Sequence, residues 1–417
     1  MLMNSQDLPT LNINTSCEFK HLIIDRYQAA PATNMINIIA GNPVFTLCNC
    51  GGSKTDESRS YRLMGISGTA DVTWNGGSVF GNTNLGGVTY VYKDIVIEDT
   101  ANLNFICGYF CASVKMYNNS QANINMDVFV VGAHENTRMI FNDNSIAIIN
   151  IRTAGYYRDI NYVKSIFGST TALAFFVQAN DDCQLTLSGV IEGFIELATG
   201  SPVINITNRS SIIGVPWHIA AIAVNPAAVV NISDSSILMD SDNDTGGMHI
   251  MEDEIGINWN IDNCTIEFTG HSGTWFTMGS PIGLAGHNTN LTILNSHIID
   301  NANDNIPFGA NYPGAVISYR NVTIRNSIIE VKNFDGVGAN KCLIVGKWAG
   351  ESIHVILENV TFKNDNASGT GWGVAFPAIG ALDVNDYLIE SGTINQTQEL
   401  NVCSDMAVWN YLKGNAP

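Results

Sequence analysis

The sequence predicts an all-β chain wound into a right-handed, single-stranded parallel β-helix, and three observations carry that expectation. A short motif of the form apolar-x-apolar-x-Asn-small-x-apolar recurs along the 417 residues. Its copies are rich in Ile, Val and Thr, whose branched side chains suit a pleated surface. Almost no stretch shows the 3.6-residue period of a helix.

Four copies align without gaps: Trp259-Asn260-Ile261-Asp262-Asn263-Cys264-Thr265-Ile266, Leu291-Thr292-Ile293-Leu294-Asn295-Ser296-His297-Ile298, Val322-Thr323-Ile324-Arg325-Asn326-Ser327-Ile328-Ile329 and Val355-Ile356-Leu357-Glu358-Asn359-Val360-Thr361-Phe362. Alternation places the two apolar residues before the Asn on one face, and the small residue and last apolar one on the same face after it. Asn enters the left-handed region at low cost, so one Asn can bend the strand and let its amide bond to the equivalent Asn of the next turn. Weaker copies put Asp94, Asn119, Asn144, Gly189, Ser210, Asp234 and Ser391 at the hinge. The spacings then run from 21 residues (189 to 210) to 33 (326 to 359), with one interval of 45 (144 to 189) holding two rungs. Leucine-rich repeats share this length but require Leu at set positions and a helical leg, and propeller blades are longer.

Three segments follow. Residues 1–59 hold alternating runs, Leu11 to Ile13 and Phe19 to Ile24, read as N-terminal capping strands before a Gly-rich stretch at 50–60. Residues 60–400 form the coil. Residues 401–417 form a C-terminal cap, in which Met406, Trp409 and Leu412 hint at a helix that covers the last strand edge. Rungs are longer in the second half, so the insertions His271 to Asn290, Asn301 to Gly314, Asn333 to Glu351 and Asn364 to Asn385 are expected to be loops.

Composition narrows the function. Only 14% of residues are charged, so Asn, Ser, Thr and Gly must cover much of the surface, and the net charge of −19 repels phosphate backbones. Nucleic acid is not an expected partner. Apolar runs end well short of the ~18 residues that span a bilayer, so no membrane insertion is expected. Met1 to Asp7 lacks a basic start and an apolar core, so no signal peptide is visible. Nine scattered cysteines give no disulfide framework. Cys48, Cys50, Cys107 and Cys111 have spacing that can hold zinc, against the plainer reading of buried thiols in a coil interior.

Several residues can carry chemistry. Asp181, Asp182 and Glu192 are candidate catalytic carboxylates, because glycoside hydrolysis needs two acids across a cleft and Glu192 falls at an inward position unless the register slips. Glu267 and Glu330 share one repeat position two rungs apart, with Ile299 between them. Trp275, Tyr312, Trp348 and Trp372 lie in the insertions and can stack on sugar rings or under their own loops. Asp240, Asp242 and Asp244 alternate oxygen ligands before Gly246, a pattern for Ca²⁺, although an EF-hand is excluded by Met251 at its twelfth position. The N-x-S/T sequons arise by chance in so Asn-rich a chain, and the histidines lack metal-ligand spacing.

A parallel β-helix with uneven rungs, Asn-rich turns, no visible leader and an acidic composition resembles bacteriophage tailspikes and related tail fibres. Pectate-lyase-like polysaccharide enzymes share that coil. The resemblance covers about residues 60–400. It implies a homotrimer within a virion, extracellular after lysis, touching other virion proteins and host-surface polysaccharide or a receptor. The expected function is a structural tail fibre, spike or decoration component without a resident cofactor. A polysaccharide lyase or glycoside hydrolase is the alternative, and a secreted adhesin the third reading.

Overall fold

A computed structural model describes residues 11–24, 34–50, 61–80, 93–111, 113–131, 138–156, 175–190, 193–197, 199–211, 218–221, 227–239, 248–250, 257–268, 281–284, 290–301, 314–318, 321–332, 341–345, 353–364, 371–375, 387–391, 394–396 and 400–403. Among these every regular element is a strand. The strands form parallel sheets stacked as a β-solenoid, and they fall into two compact units.

Unit 1 comprises Met1–Ile191 with Ser201–Val203. Its first ladder stacks Leu11–Ile13, Ile36–Ile38, Tyr61–Ile66, Lys93–Ile97, Ser113–Met116, Arg138–Phe141 and Phe175–Ala179, each parallel to the next. The second stacks Glu18–Lys20, Val44–Cys50, Asp71–Phe80, Asn102–Cys111, Gln121–Val131, Ile146–Tyr156 and Gln184–Val190 in the same way. The strands expected to cap the coil at 11–24 thus pair within the same ladders as the rungs that follow.

The core of unit 1 follows from register. Phe45 pairs with Trp74 and Trp74 with Phe105, so like side chains stack along the coil axis. Phe19, Phe45, Trp74 and Phe105 form a continuous offset stack with centroid separations of 5.0, 4.8 and 5.6 Å, and Phe110 meets Phe105 edge-on at 5.5 Å. Phe45, Trp74, Phe105 and Phe110 are fully buried.

The bend between the two ladders is not the one-residue hinge expected there. It is a four-residue turn closed by backbone bonds such as Ala101 N–H to Glu98 O, Ser120 N–H to Tyr117 O and Ser145 N–H to Asn142 O. Its left-handed residue is Gly68, Asp99, Asn118, Asp143 or Asp181. Asn119 and Asn144 therefore lie inside the turn, one residue after its left-handed position, and Asp94 lies inside the strand Lys93–Ile97. Gly189 is left-handed at φ 89° but lies within the strand Gln184–Val190. At these five bends the position with positive φ is filled by Gly, Asn or Asp, each of which tolerates it.

Unit 2 comprises Glu192–Gly200 and Ile204–Pro417. Its hinge sheet includes Val229–Ser233, Asn258–Asp262, Asn290–Leu294, Asn321–Arg325, Ile353–Glu358 and Tyr387–Ser391. After the hinge comes a six-stranded second sheet of Ser236–Met239, Thr265–Phe268, His297–Asp300, Ile328–Val331, Val360–Asn364 and Ile394–Gln396. Here the one-residue hinge is as expected at Asp234, Asn263, Asn295, Asn326 and Asn359, which stand at φ 49–53°, whereas Ser210 and Ser391, also expected as hinges, lie in the strands Val203–Ser211 and Tyr387–Ser391. Amide ladders tie the bends together, with Asn263 Nδ2 donating to Asp234 Oδ1 (2.8 Å), Asn326 Nδ2 to Asn295 Oδ1 (3.4 Å) and Asn359 Nδ2 to Asn326 Oδ1 (3.0 Å). Asn295 departs from the pattern and donates to Asp262 Oδ1 instead (2.8 Å). Buried hydroxyls reinforce the bend, since Ser296 Oγ donates to Leu294 O and accepts the Cys264 N–H.

Three of the insertions expected to be loops contain strands of a third parallel sheet, also six-stranded: Ile282–Leu284, Lys341–Val345 and Gly371–Ala375 join Met248–Ile250, Gly314–Ser318 and Leu400–Cys403. These strands are short and partly Gly-rich, so no alternating pattern announces them. Residues 401–403 of the cap expected at 401–417 belong to the strand Leu400–Cys403 of this sheet, and the candidate helix lies outside the described residues.

Burial also disfavours ionisation of the interior thiols. It pushes the thiols of Cys107 and Cys183 up to about 12 and that of Cys264 up to about 11. Nearby Asp127 adds to the rise at Cys107. Unfolded thiols ionise near pH 9, so above that value the unfolded chain has released protons that the native chain still holds. Stability should be unaffected below pH ~9 and then fall toward pH ~12, by roughly 1.4 kcal/mol per pH unit for each such thiol. Urea midpoints measured between pH 8 and 11 test this, and Cys183→Ala should flatten the decline.

Candidate functional site

Asp181 is a turn residue. Its φ is 56° and its Oδ2 accepts the Asp143 N–H at 3.2 Å. Asp143 Oδ2 accepts the Asn118 N–H (2.7 Å), Asn118 Oδ1 accepts the Asp99 N–H (3.1 Å), and Asp99 Oδ2 accepts the Gly68 N–H (2.8 Å). The carboxylate thus belongs to a ladder that fastens successive turns. Asp182 beside it is exposed on the same turn. Glu192 lies outside the described residues, as do Asp240, Asp242 and Asp244 and the aromatic residues Trp275, Tyr312 and Trp348. Trp372 is in the third-sheet strand Gly371–Ala375, opposite Lys341 and Asn401, rather than in a loop.

Two of the four cysteines weighed for zinc, Cys48 and Cys107, lie on strands with a third strand between them. Cys48 pairs with Gly77, and Cys107 belongs to the next strand again, beyond Ile106, which pairs with Asn75. Two strand spacings of ~4.8 Å separate the positions, far more than the reach of two thiolates on one tetrahedral ion with Zn–S bonds of ~2.3 Å. Cys48 Sγ instead donates to Thr46 O and Phe19 O. Among the described residues no group of three or more His, Cys, Asp or Glu side chains is placed to hold a metal.

What converges is a set of polar side chains on the outward side of the second sheet of unit 2. Ile266, Ile298, Ile329 and Phe362 point into the core and are fully buried. Alternation turns their neighbours outward in two columns. One is Thr265, His297, Ile328, Thr361, and the other Glu267, Ile299, Glu330, Lys363. Glu267 and Glu330 therefore share a column with Ile299 between them, as the repeat predicts. Diagonal contacts join the columns, as expected for residues offset by two across paired strands. His297 Nε2 lies 2.6 Å from Glu330 Oε2, and Asn301 Nδ2 donates to Glu267 Oε1 at 2.9 Å. Lys332 Nζ is 4.0 Å from Glu330 Oε1.

Exposure separates these groups. The Glu330 side chain is only 6% exposed, whereas those of His297 and Lys332 are 30% and 31% exposed. Ile299 is 5% exposed although it points outward. A buried carboxylate is tolerated when ionic and hydrogen-bonding partners surround it, and His297 and Lys332 supply them. His297, Asn301 and Lys332 were not singled out from the sequence. His297 has no metal-ligand spacing, but its place opposite Thr265 and Ile328 in the aligned copies puts it on the outward side two residues from the Glu330 column, and that offset is the signal.

No protein-family model matches this chain, and searches of curated proteins and of solved structures likewise find no match.

Proposed function

We propose that this chain is a non-catalytic structural solenoid of a phage virion, a tail fibre, spike or decoration component, that meets the host surface or its glycans with its sides. The observation that supports this reading most is the engagement of Asp181, Glu330 and Glu267 by the scaffold, while Asp182 is exposed. Asp181 fastens the turn ladder, Glu330 is buried against His297, and Glu267 is engaged by Asn301. An inverting pair of carboxylates must also leave room for a water between them, and Ile299 occupies the middle of the Glu267–Glu330 column. Long-range ladders of Asn and Asp along a sparsely charged chain suit a rigid, passive part, and the architectural resemblance to tailspikes points to the same setting.

The test is incubation of the full chain with purified capsular and cell-wall polysaccharides, with binding and product formation followed together. Binding without new reducing ends or unsaturated products is expected. Turnover that disappears in Asp182→Asn or Glu192→Gln would replace this reading with a polysaccharide-degrading enzyme.

A further inference from the structure

The dipeptide Asn-Gly occurs once in the 417 residues, at Asn75 and Gly76, and the fold leaves it open to water. Asn75 is exposed on the strand Asp71–Phe80, directly after the buried Trp74. The strand bends at this point. Gly76 and Leu47, which faces it in the preceding rung, are both left-handed, at φ 78° and 51°. Beyond Asn75 the pairing resumes only at Gly77 with the preceding rung and at Ser78 with the following one. Neighbouring amides in the same sheet are tied. Asn102 Nδ2 donates to Asp71 Oδ1 (2.9 Å), Asn125 Nδ2 to Asn123 Oδ1 (3.1 Å) and Asn150 Nδ2 to Asn125 Oδ1 (3.4 Å). Among the described residues the Asn75 amide has no such partner.

An asparagine side chain can close a cyclic imide with the backbone nitrogen of the next residue, and glycine there leaves the closure unhindered because it has no Cβ. Asparagines that precede serine are held by contrast: Asn144 Nδ2 donates to Asn119 Oδ1 (3.3 Å) and Asn295 Nδ2 to Asp262 Oδ1 (2.8 Å). We propose that Asn75 with Gly76 is a site of spontaneous deamidation in the folded chain. Hydroxide takes the Gly76 N–H proton and the nitrogen attacks Asn75 Cγ. The new N–Cγ bond forms, the Cγ–Nδ2 bond breaks, and Nδ2 leaves as ammonia with a proton returned from water. A second water then adds to one imide carbonyl carbon. Cleavage of the N–Cγ bond gives aspartate, and cleavage of the original peptide bond gives isoaspartate, so one water is consumed and one ammonia released overall. Either product adds a negative charge to a chain already at −19. Isoaspartate also lengthens the backbone by one carbon just before Gly77, where even a Cβ would lie 1.9 Å from the Cys48 carbonyl oxygen. Its formation therefore loosens the rung that places Trp74 between Phe45 and Phe105.

Ageing the full, folded chain in buffers between pH 7 and 9, with peptide mass mapping and an isoaspartate methylation assay, tests this. The peptide that holds Asn75 should exchange amide for carboxyl at a rate that rises with hydroxide. It should do so about tenfold or more faster than the peptides that hold Asn119, Asn144 or Asn295, a barrier lower by ~1.4 kcal/mol. Ion exchange should show a growing acidic fraction, and its isoaspartate-bearing part should melt below the fresh chain. Asn75→Ser alters an exposed side chain, so it should melt as the fresh parent does and remain a single charge species over the same period. Conversion of Asn75 only after unfolding in urea overturns the proposal, because the native bend then protects the site. Equal rates at Asn75 and the serine-preceding asparagines overturn it as well.

Discussion

Gly77→Ala should destabilise unit 1 by about 3 kcal/mol or more, the upper end of what backbone strain costs. Gly77 stands at φ 89°, where an L side chain is strained, and a Cβ there would lie 1.9 Å from the Cys48 carbonyl oxygen. That oxygen is backbone in the neighbouring rung, so it can move only if the ladder does. Gly189 has the same φ and would meet the Ile151 carbonyl oxygen at 1.9 Å, so Gly189→Ala should behave alike. Gly108 supplies the contrast: a Cβ there meets its nearest atom at 3.5 Å, an ordinary contact, and Gly108→Ala should stay within about 1 kcal/mol. Urea unfolding of the three variants checks the ordering.

Trp74→Ala should cost about 3–5 kcal/mol, the range for truncating a large buried aromatic residue. Trp74 lies inside the stack, with Phe45 on one side and Phe105 on the other, so its loss also breaks two ring contacts worth roughly 0.5–1.5 kcal/mol each. Trp74→Phe should be far milder. It keeps a ring in the stack and removes an indole Nε1–H that is buried without a hydrogen-bond partner, and removing an unpaired buried donor offsets part of the lost contact area. Thermal melting of both variants distinguishes a packing role from a requirement for tryptophan as such.

The fold was legible where one residue carries the whole signal. In unit 2 each Asn hinge bends the strand and is followed by a small inward residue, so the aligned copies at Asn263, Asn295, Asn326 and Asn359 were placed to the residue, and with them the column of Glu267, Ile299 and Glu330. In unit 1 the bend spreads over four residues, and Gly, Asp and Asn share the left-handed position. The repeat was visible there but its bend was misplaced by a residue at Asn119 and Asn144. The third sheet was not legible, because strands as short as Ile282–Leu284 sit inside long insertions and owe their conformation to the rungs above and below.

The site was partly legible. Glu267 and Glu330 emerged from repeat position alone, but pairing His297 with Glu330 needs the diagonal offset between strands, which only a fixed register supplies. Asp181 was a candidate acid from its place ahead of a rung, and its φ of 56° with its bond to the Asp143 N–H gives it a place in the turn ladder that sequence alone did not reveal.

The register of the Asn-hinged rungs underlies the core and the column of glutamates, and an engineered cross-link tests it most directly. Thr292 and Thr323 face one another on adjacent parallel strands, at a separation of the ~4.8 Å strand spacing, within the Cα range that a disulfide tolerates. A chain carrying Thr292→Cys with Thr323→Cys should form an intrachain disulfide on mild oxidation and keep its melting temperature or raise it. Failure of that pair to cross-link, together with ready cross-linking of Thr292→Cys to a cysteine placed at Arg325, would contradict the register and the account built on it.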